Sequence, residues 1–144
     1  MLEIHRNSLW IGNAMDIRTP ERLFDAGISA VVDVAYEELP AQLPRQLIYC
    51  RFPINDGGGN EPVVLRQAVQ TVTDFLAARL PTIVGCSAGM SRSPTFAAAA
   101  LAVHLAQTPD EIIARIGRIH SLDVSGTLWS DLAKVVPEIR AYNR

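Results

Sequence analysis

The chain has 144 residues, 49% apolar and 19% charged, with a formal net charge of −2. That length carries one hydrophobic core and is short for two, and the composition is that of a folded chain rather than a disordered one. The 13 Lys and Arg residues are scattered without a basic run, which leaves no footprint for nucleic acid or an acidic membrane surface.

Met1 to Asn7 shows no basic segment leading into an apolar one, so no signal peptide is expected and the cytoplasm is the expected compartment. Ser8 to Ile11 reads as a short strand closed by Gly12-Asn13. Thr19-Pro20-Glu21 supplies an N-cap with proline at the first helical position, opening a helix that stops at Gly27. Ile28 to Ala35, rich in Val and Ile, reads as a central buried strand. Leu47 to Ile54 is a further strand, ending at Asn55-Asp56-Gly57-Gly58-Gly59. Asn60 is expected to cap a long helix starting at Glu61-Pro62, with Val64, Leu65, Ala68, Val72, Phe75 and Leu76 on one face. Thr82 to Val84 is another short strand.

Beyond it the pattern is helical. One helix is expected from about Arg92 to Ala106; it carries His104 and is too short to span a bilayer, so it reads as a buried central helix. Thr108-Pro109-Asp110-Glu111 has capping-box spacing and opens a helix ending near His120. Ser125 caps a last helix, which Pro137 is expected to interrupt. Strands alternating with helices, then a helical second half, predict an α/β fold over residues 1–144 as a single domain. Its centre is a mostly parallel sheet flanked by helices.

The chemistry concentrates in Gly85-Cys86-Ser87-Ala88-Gly89-Met90-Ser91-Arg92-Ser93-Pro94. A strand, a tight glycine-containing turn and a helix start aim backbone N–H groups at one point and make an anion socket. A thiol at the floor and a guanidinium at the rim suit a phosphate about to be attacked by sulfur. Cys86 is the candidate nucleophile and Arg92 the candidate clamp. Ser87, Ala88, Gly89, Met90, Ser91 and Arg92 are the candidate phosphate-binding positions, and Ser93 is placed to help the sulfur leave. An acid for the leaving oxygen must come from another loop, and Asp56, beside three glycines, is the candidate. Asp33 is a rival that reads as structural. Cys50 reads as a buried small hydrophobe; its alternative is a reversible disulfide with Cys86. Two cysteines fit neither a disulfide framework nor a zinc pattern. His5 and His120 read as surface or capping groups, and Trp10 and Trp129 as packing anchors.

Cys86-Ser-Ala-Gly-Met-Ser-Arg92-Ser93 resembles the signature loop of the protein tyrosine phosphatase superfamily, most closely its compact dual-specificity branch. Ser8 to Asn13, Leu23 to Ile28 and Val31 to Ala35 are similar to that branch's opening strand, helix and strand, and Asp56 falls where the branch keeps its general acid. The resemblance implies a phosphocysteine intermediate on Cys86, Arg92 as clamp, Asp56 as acid and then base, Ser93 assisting breakdown, and no metal or organic cofactor. Two departures stand out. Gly85 replaces a histidine that usually precedes the cysteine, which predicts a looser loop and a slower enzyme, and Asp131 stands before Leu132 in place of a glutamine. The uncharged side chains at Ser87, Ala88, Met90 and Ser91 favour a phosphoprotein substrate over an inositol phosphate. Phosphotyrosine leads, with phosphoserine and phosphothreonine left open. The main alternative is a phosphate-binding module with little or no turnover. A rhodanese-like sulfur transferase and an arsenate reductase are more distant.

Overall fold

The computed structural model describes residues 1–143. Its strands are β1 (Leu2–His5), β2 (Leu9–Gly12), β3 (Ala30–Asp33), β4 (Ile48–Arg51) and β5 (Thr82–Gly85). They form one five-stranded sheet in the order β1-β2-β5-β3-β4. β2, β5, β3 and β4 run parallel, whereas β1 pairs antiparallel with β2.

Alternate residues leave this sheet on opposite faces. Leu9, Ile11, Val32 and Val84 enter the larger core, while Trp10, Val31 and Ile83 enter a smaller one. Both faces are covered, which is why these strands read as continuous apolar runs. Ile17 of α1 (Ala14–Ile17) and Leu23 of α2 (Pro20–Asp25) close the smaller core. The larger is closed by α3 (Pro62–Ala77), α4 (Arg92–Leu105), α5 (Pro109–Gly117) and α6 (Gly126–Tyr142). Every residue of α4 from Arg92 to Ala102 is buried, and the helix packs against α3, α5 and α6. Ala97 to Ala100 keep its girth small, so its neighbours approach closely on all sides. The α/β architecture with a mostly parallel sheet is therefore as expected.

Several local expectations are corrected. β1 is an addition to the expected strands: Leu2-Glu3-Ile4-His5 alternates apolar and polar residues with Leu2 and Ile4 against the larger core, but over only four residues, and its pairing with β2 at the sheet edge holds it. Nor was α1, a single turn set by a capping box in which Asn13 Oδ1 accepts from Asp16 N and Asp16 Oδ2 from Asn13 N, both at 2.9 Å. β3 and β4 are shorter than the apolar runs that announced them, because the chain peels into loops after Asp33 and Arg51. Glu61, not Asn60, is the N-cap of α3. Pro137 lies inside α6 without ending it. The proline gives up one N–H toward the exposed Ala133 carbonyl, while Val135, Val136 and Ile139 keep the helix buried on the core.

The register Gly12↔Gly85, Asp33↔Gly85 and Asp33↔Arg51 lines up the carboxyl ends of β2, β5, β3 and β4 along one edge. The loops leaving those positions converge there, on either side of a reversal in strand order, where open α/β sheets form crevices.

Candidate active site

The loop from Cys86 to Ser91 joins β5 to α4. Four of its carbonyls are held by partners outside the loop or in the first turn of α4. Ser87 O accepts from Ala14 N at 3.2 Å, Met90 O from Asp123 N at 2.9 Å, and Ser91 O from Thr95 N at 3.1 Å. Gly89 O lies 3.0 Å from His120 Nε2. With those carbonyls so held, the peptide N–H groups turn in. Gly89 N donates to Cys86 Sγ at 3.2 Å and Ser93 N at 3.4 Å, and Ser93 Oγ lies 3.5 Å from the same sulfur. The N–H groups of Ser87, Ala88, Met90, Ser91 and Arg92 donate to no acceptor among the described residues. Gly89 sits at φ +76, and a Cβ there would come within 3.1 Å of the Gly12 carbonyl, so both its turn and its close approach to β2 require glycine.

Arg92 lies at the first turn of α4 with its guanidinium buried. Nη1 donates to Glu37 Oε2 at 2.8 Å and to Ile54 O at 2.9 Å; Nη2 donates to Glu37 Oε1 and, at 3.3 Å, to Ser87 Oγ. One edge of the fork is thus clamped by Glu37. Nε is buried and has no hydrogen-bond partner among the described residues, so the guanidinium keeps one unsatisfied donor. The Arg92 hydrogen bond holds the Glu37 carboxyl at about 2, well below its ordinary 4.5. For Arg92, burial opposes the charge, but Glu37, together with Cys86 and Asp56, outweighs it and raises its basicity.

Asp56 reaches the same place from the loop after β4. Ser91 Oγ donates to Asp56 Oδ1 at 2.5 Å and itself accepts from Ser125 N at 3.1 Å. Asp56 Oδ2 makes no hydrogen bond among the described residues. Asn60, expected as a helix cap, instead closes this loop: its Oδ1 accepts from Asn55 N at 2.8 Å, and its Nδ2 donates to Asn55 O at 3.0 Å and Gly57 O at 3.1 Å. The acid loop is held from two sides.

The structure thus brings together Cys86, Arg92, Asp56 and Ser93 with the inward backbone of Ser87 to Ser91. Asp33 points elsewhere: its oxygens accept from Ala35 N and Tyr49 Oη, each at 3.0 Å. Cys50 pairs with Val32 and lies two strands from β5, roughly 10 Å at about 4.8 Å per strand. That exceeds the ~7 Å Cα limit for a disulfide, so the Cys50–Cys86 bridge is discarded. Burial also pushes the Cys50 thiol up. Glu37 was missed by sequence reasoning. The available signal was an acidic pair, Glu37-Glu38, in the loop that follows β3, and it points to the socket only once β3 is known to lie beside β5.

His120 also corrects its expectation. His120 is neither a surface group nor a cap but touches the socket. Gly85 leaves no room for a histidine: a Cβ there would lie 2.6 Å from Ile17 Cγ2, and Ile17 is 2% exposed. Gly85→His is therefore expected to cost about 1–3 kcal/mol through overpacking. Melting curves check this, and the double variant with Ile17→Ala should melt higher than the two single effects predict. A Gly85→His protein that melts with wild type contradicts it.

No protein-family model matches the chain, and no curated protein matches it in sequence. Solved structures match it in fold. Human DUSP28 aligns with a TM-score of 0.84 at 20% identity, covering 99% of this chain and 99% of that one. PTPMT1 in complex with PI(5)P aligns at 0.75 and 19% identity, covering 99% and 97%. The human tyrosine phosphatase-like serine/threonine/tyrosine-interacting protein aligns at 0.80 and 16%, covering 100% and 98%. The fold is that of the dual-specificity phosphatases. Among the described residues, no helix is long and apolar enough to cross a membrane, and no cluster of three or more His, Cys, Asp or Glu could hold a metal ion.

Proposed function

We propose that this chain is a metal-independent phosphomonoester hydrolase acting through a phosphocysteine intermediate on phosphorylated proteins. Phosphotyrosine is its first substrate, and phosphoserine and phosphothreonine also enter. The observation that carries the reading is that two N–H groups donate to Cys86 Sγ within a loop whose other amides have no protein acceptor, beside a buried Arg92 guanidinium that senses the Cys86 charge and keeps Nε unpartnered. A phosphate seated there accepts from those amides and that guanidinium, and its phosphorus faces the sulfur.

The reaction balances with the residues at hand. The Cys86 thiolate attacks phosphorus, the ester P–O bond breaks, and Asp56 gives its proton to the departing oxygen. Asp56, now a carboxylate, takes a proton from water as the water oxygen attacks phosphocysteine. The P–S bond breaks, Ser93 Oγ–H supports the departing sulfur, and orthophosphate is released. Ser91 binds Oδ1 of Asp56 and leaves Oδ2 to carry the proton. The two free thiols suit a reducing compartment such as the cytoplasm.

The substrate class follows from charge. The side chains at 87–91 bring no cation, and Glu37 engages one edge of the Arg92 guanidinium. A headgroup with several phosphates would meet too little positive charge. Turnover of phosphotyrosine, phosphoserine and phosphothreonine peptides, PI(5)P and soluble inositol phosphates tests this. Phosphopeptides, phosphotyrosine first, should give the highest kcat/KM. Highest kcat/KM on an inositol lipid or phosphate overturns the substrate class. No turnover of any, with orthophosphate still bound, supports the non-turning phosphate-binding module instead.

Glu37 acts in this reading as a positioning residue for Arg92. Its folded value is depressed, so the pair is complete above about 4.5 and is lost as pH falls through about 2. It is therefore fully formed at neutral pH. Half of the Glu37 side chain is exposed, which limits its worth. Glu37→Gln is expected to lower kcat/KM and orthophosphate affinity together by about tenfold. Unchanged orthophosphate affinity removes the positioning role.

A further inference from the structure

The segment between α5 and α6 runs along the outside of the socket and grips three successive loop residues. His120 Nε2 lies 3.0 Å from Gly89 O, Asp123 N donates to Met90 O at 2.9 Å, and Ser125 N donates to Ser91 Oγ at 3.1 Å. A carbonyl can only accept, so the hydrogen in the first contact sits on His120 Nε2. We infer that His120 is a positioning residue for phosphate binding, setting the plane of the 89–90 peptide so that the Met90 N–H faces the phosphate. The inference rests on the reading of the socket as a phosphatase site.

The geometry gives the reason. The Gly89 carbonyl and the Met90 N–H belong to one rigid peptide plane, so a donor on the oxygen side fixes where the N–H points. Gly89, at φ +76 and without a Cβ, is the loop position whose backbone is least restrained by its own side chain. An unheld 89–90 peptide would rotate and turn its oxygen toward the anion. His120 opposes that rotation from outside, and its donation also polarises the peptide so that Met90 N–H becomes a stronger donor. The neighbouring 90–91 peptide is held in the same way by Asp123 N. That bond is backbone to backbone, so among the residues gripping 89 and 90 the side-chain dependence falls on His120. A histidine directly before Cys86 has no space beside Ile17, and support for the loop comes from this remote one.

The test separates the donor from the ring. His120→Phe keeps an aromatic ring of similar size without the N–H, and His120→Gln keeps an N–H near the Nε2 position without the ring. Orthophosphate affinity by calorimetry and kcat/KM on an aryl phosphate are measured for both variants and wild type, with melting temperatures alongside. His120→Phe is expected to weaken orthophosphate binding and kcat/KM about tenfold, the worth of one polar hydrogen bond. His120→Gln should stay within about threefold of wild type on the same scale. Wild-type behaviour of the Phe variant overturns the inference. So does equal impairment of both, or a Gln variant worse than Phe, since packing of the ring would then be what matters. If wild type binds orthophosphate but turns nothing over, the hydrolase reading fails while the affinity ratios still decide the role of His120.

Discussion

Cys86→Ser is expected to reduce turnover of any phosphomonoester by roughly 10⁴-fold or more, while binding of orthophosphate persists. The substitution exchanges one atom in a residue 2% exposed, and Ser93 Oγ and the Gly89 and Ser93 amides remain to satisfy the new hydroxyl. Folding is therefore retained. What is lost is the anion. A cysteine supplies some thiolate near neutral pH even without help, whereas a serine hydroxyl needs a strong base beside it, and the described residues provide none within hydrogen-bond reach of the sulfur. The amides that stabilise negative charge on sulfur then serve the phosphate alone, and removal of the thiolate relieves its repulsion with a dianionic ligand. Initial rates on an aryl phosphate, with calorimetric titration of orthophosphate, check both halves. A serine variant that keeps several per cent of wild-type turnover excludes phosphocysteine. One that loses orthophosphate binding while folded shows that the sulfur, not the amide ring, was holding the anion.

Legibility of this molecule in its sequence follows the locality of each signal. The socket is contiguous, and strand, glycine turn and helix start are each announced by neighbouring residues. β3 and β5 are announced because both faces are covered, so Ala30 to Asp33 and Thr82 to Gly85 lie in unbroken apolar or small-residue stretches. Asp56 could be found because a loop acid after a strand of a parallel sheet shares an edge with every other strand's end. What stayed hidden depends on partners distant in sequence. Glu37 is an ordinary loop glutamate until β3 is known to lie beside β5. His120 lies in a helix-to-helix connection whose course over the socket is set by how α5 and α6 pack on α4. Asn60 has cap chemistry, and only the geometry of the Asn55–Gly57 turn shows that its amide closes that turn. Pro137 misled because a helix-breaking residue was weighed alone, whereas burial of Val135, Val136 and Ile139 decides the outcome.

Asp56→Asn is expected to act according to the leaving group, and this dependence identifies the acid. Asparagine keeps the shape and still accepts from Ser91 Oγ through Oδ1, so the loop held by Asn60 should stay in place. It cannot deliver a proton. With phosphoserine or phosphotyrosine peptides, whose oxygens leave poorly as anions, kcat/KM should fall by about 10²–10⁴, the usual worth of a positioned general acid. With a nitrophenyl phosphate the leaving oxyanion is stable by itself, and the first step should slow by no more than about tenfold on the same reasoning. The second step then becomes limiting, since the amide cannot take a proton from the attacking water. Rapid-mixing experiments on the variant should show a burst of nitrophenol stoichiometric with enzyme, followed by slow turnover, and acid quenching should trap phosphate on Cys86. An equal loss for good and poor leaving groups would assign Asp56 to holding Ser91 rather than to proton transfer. The absence of any loss would move the acid to another residue.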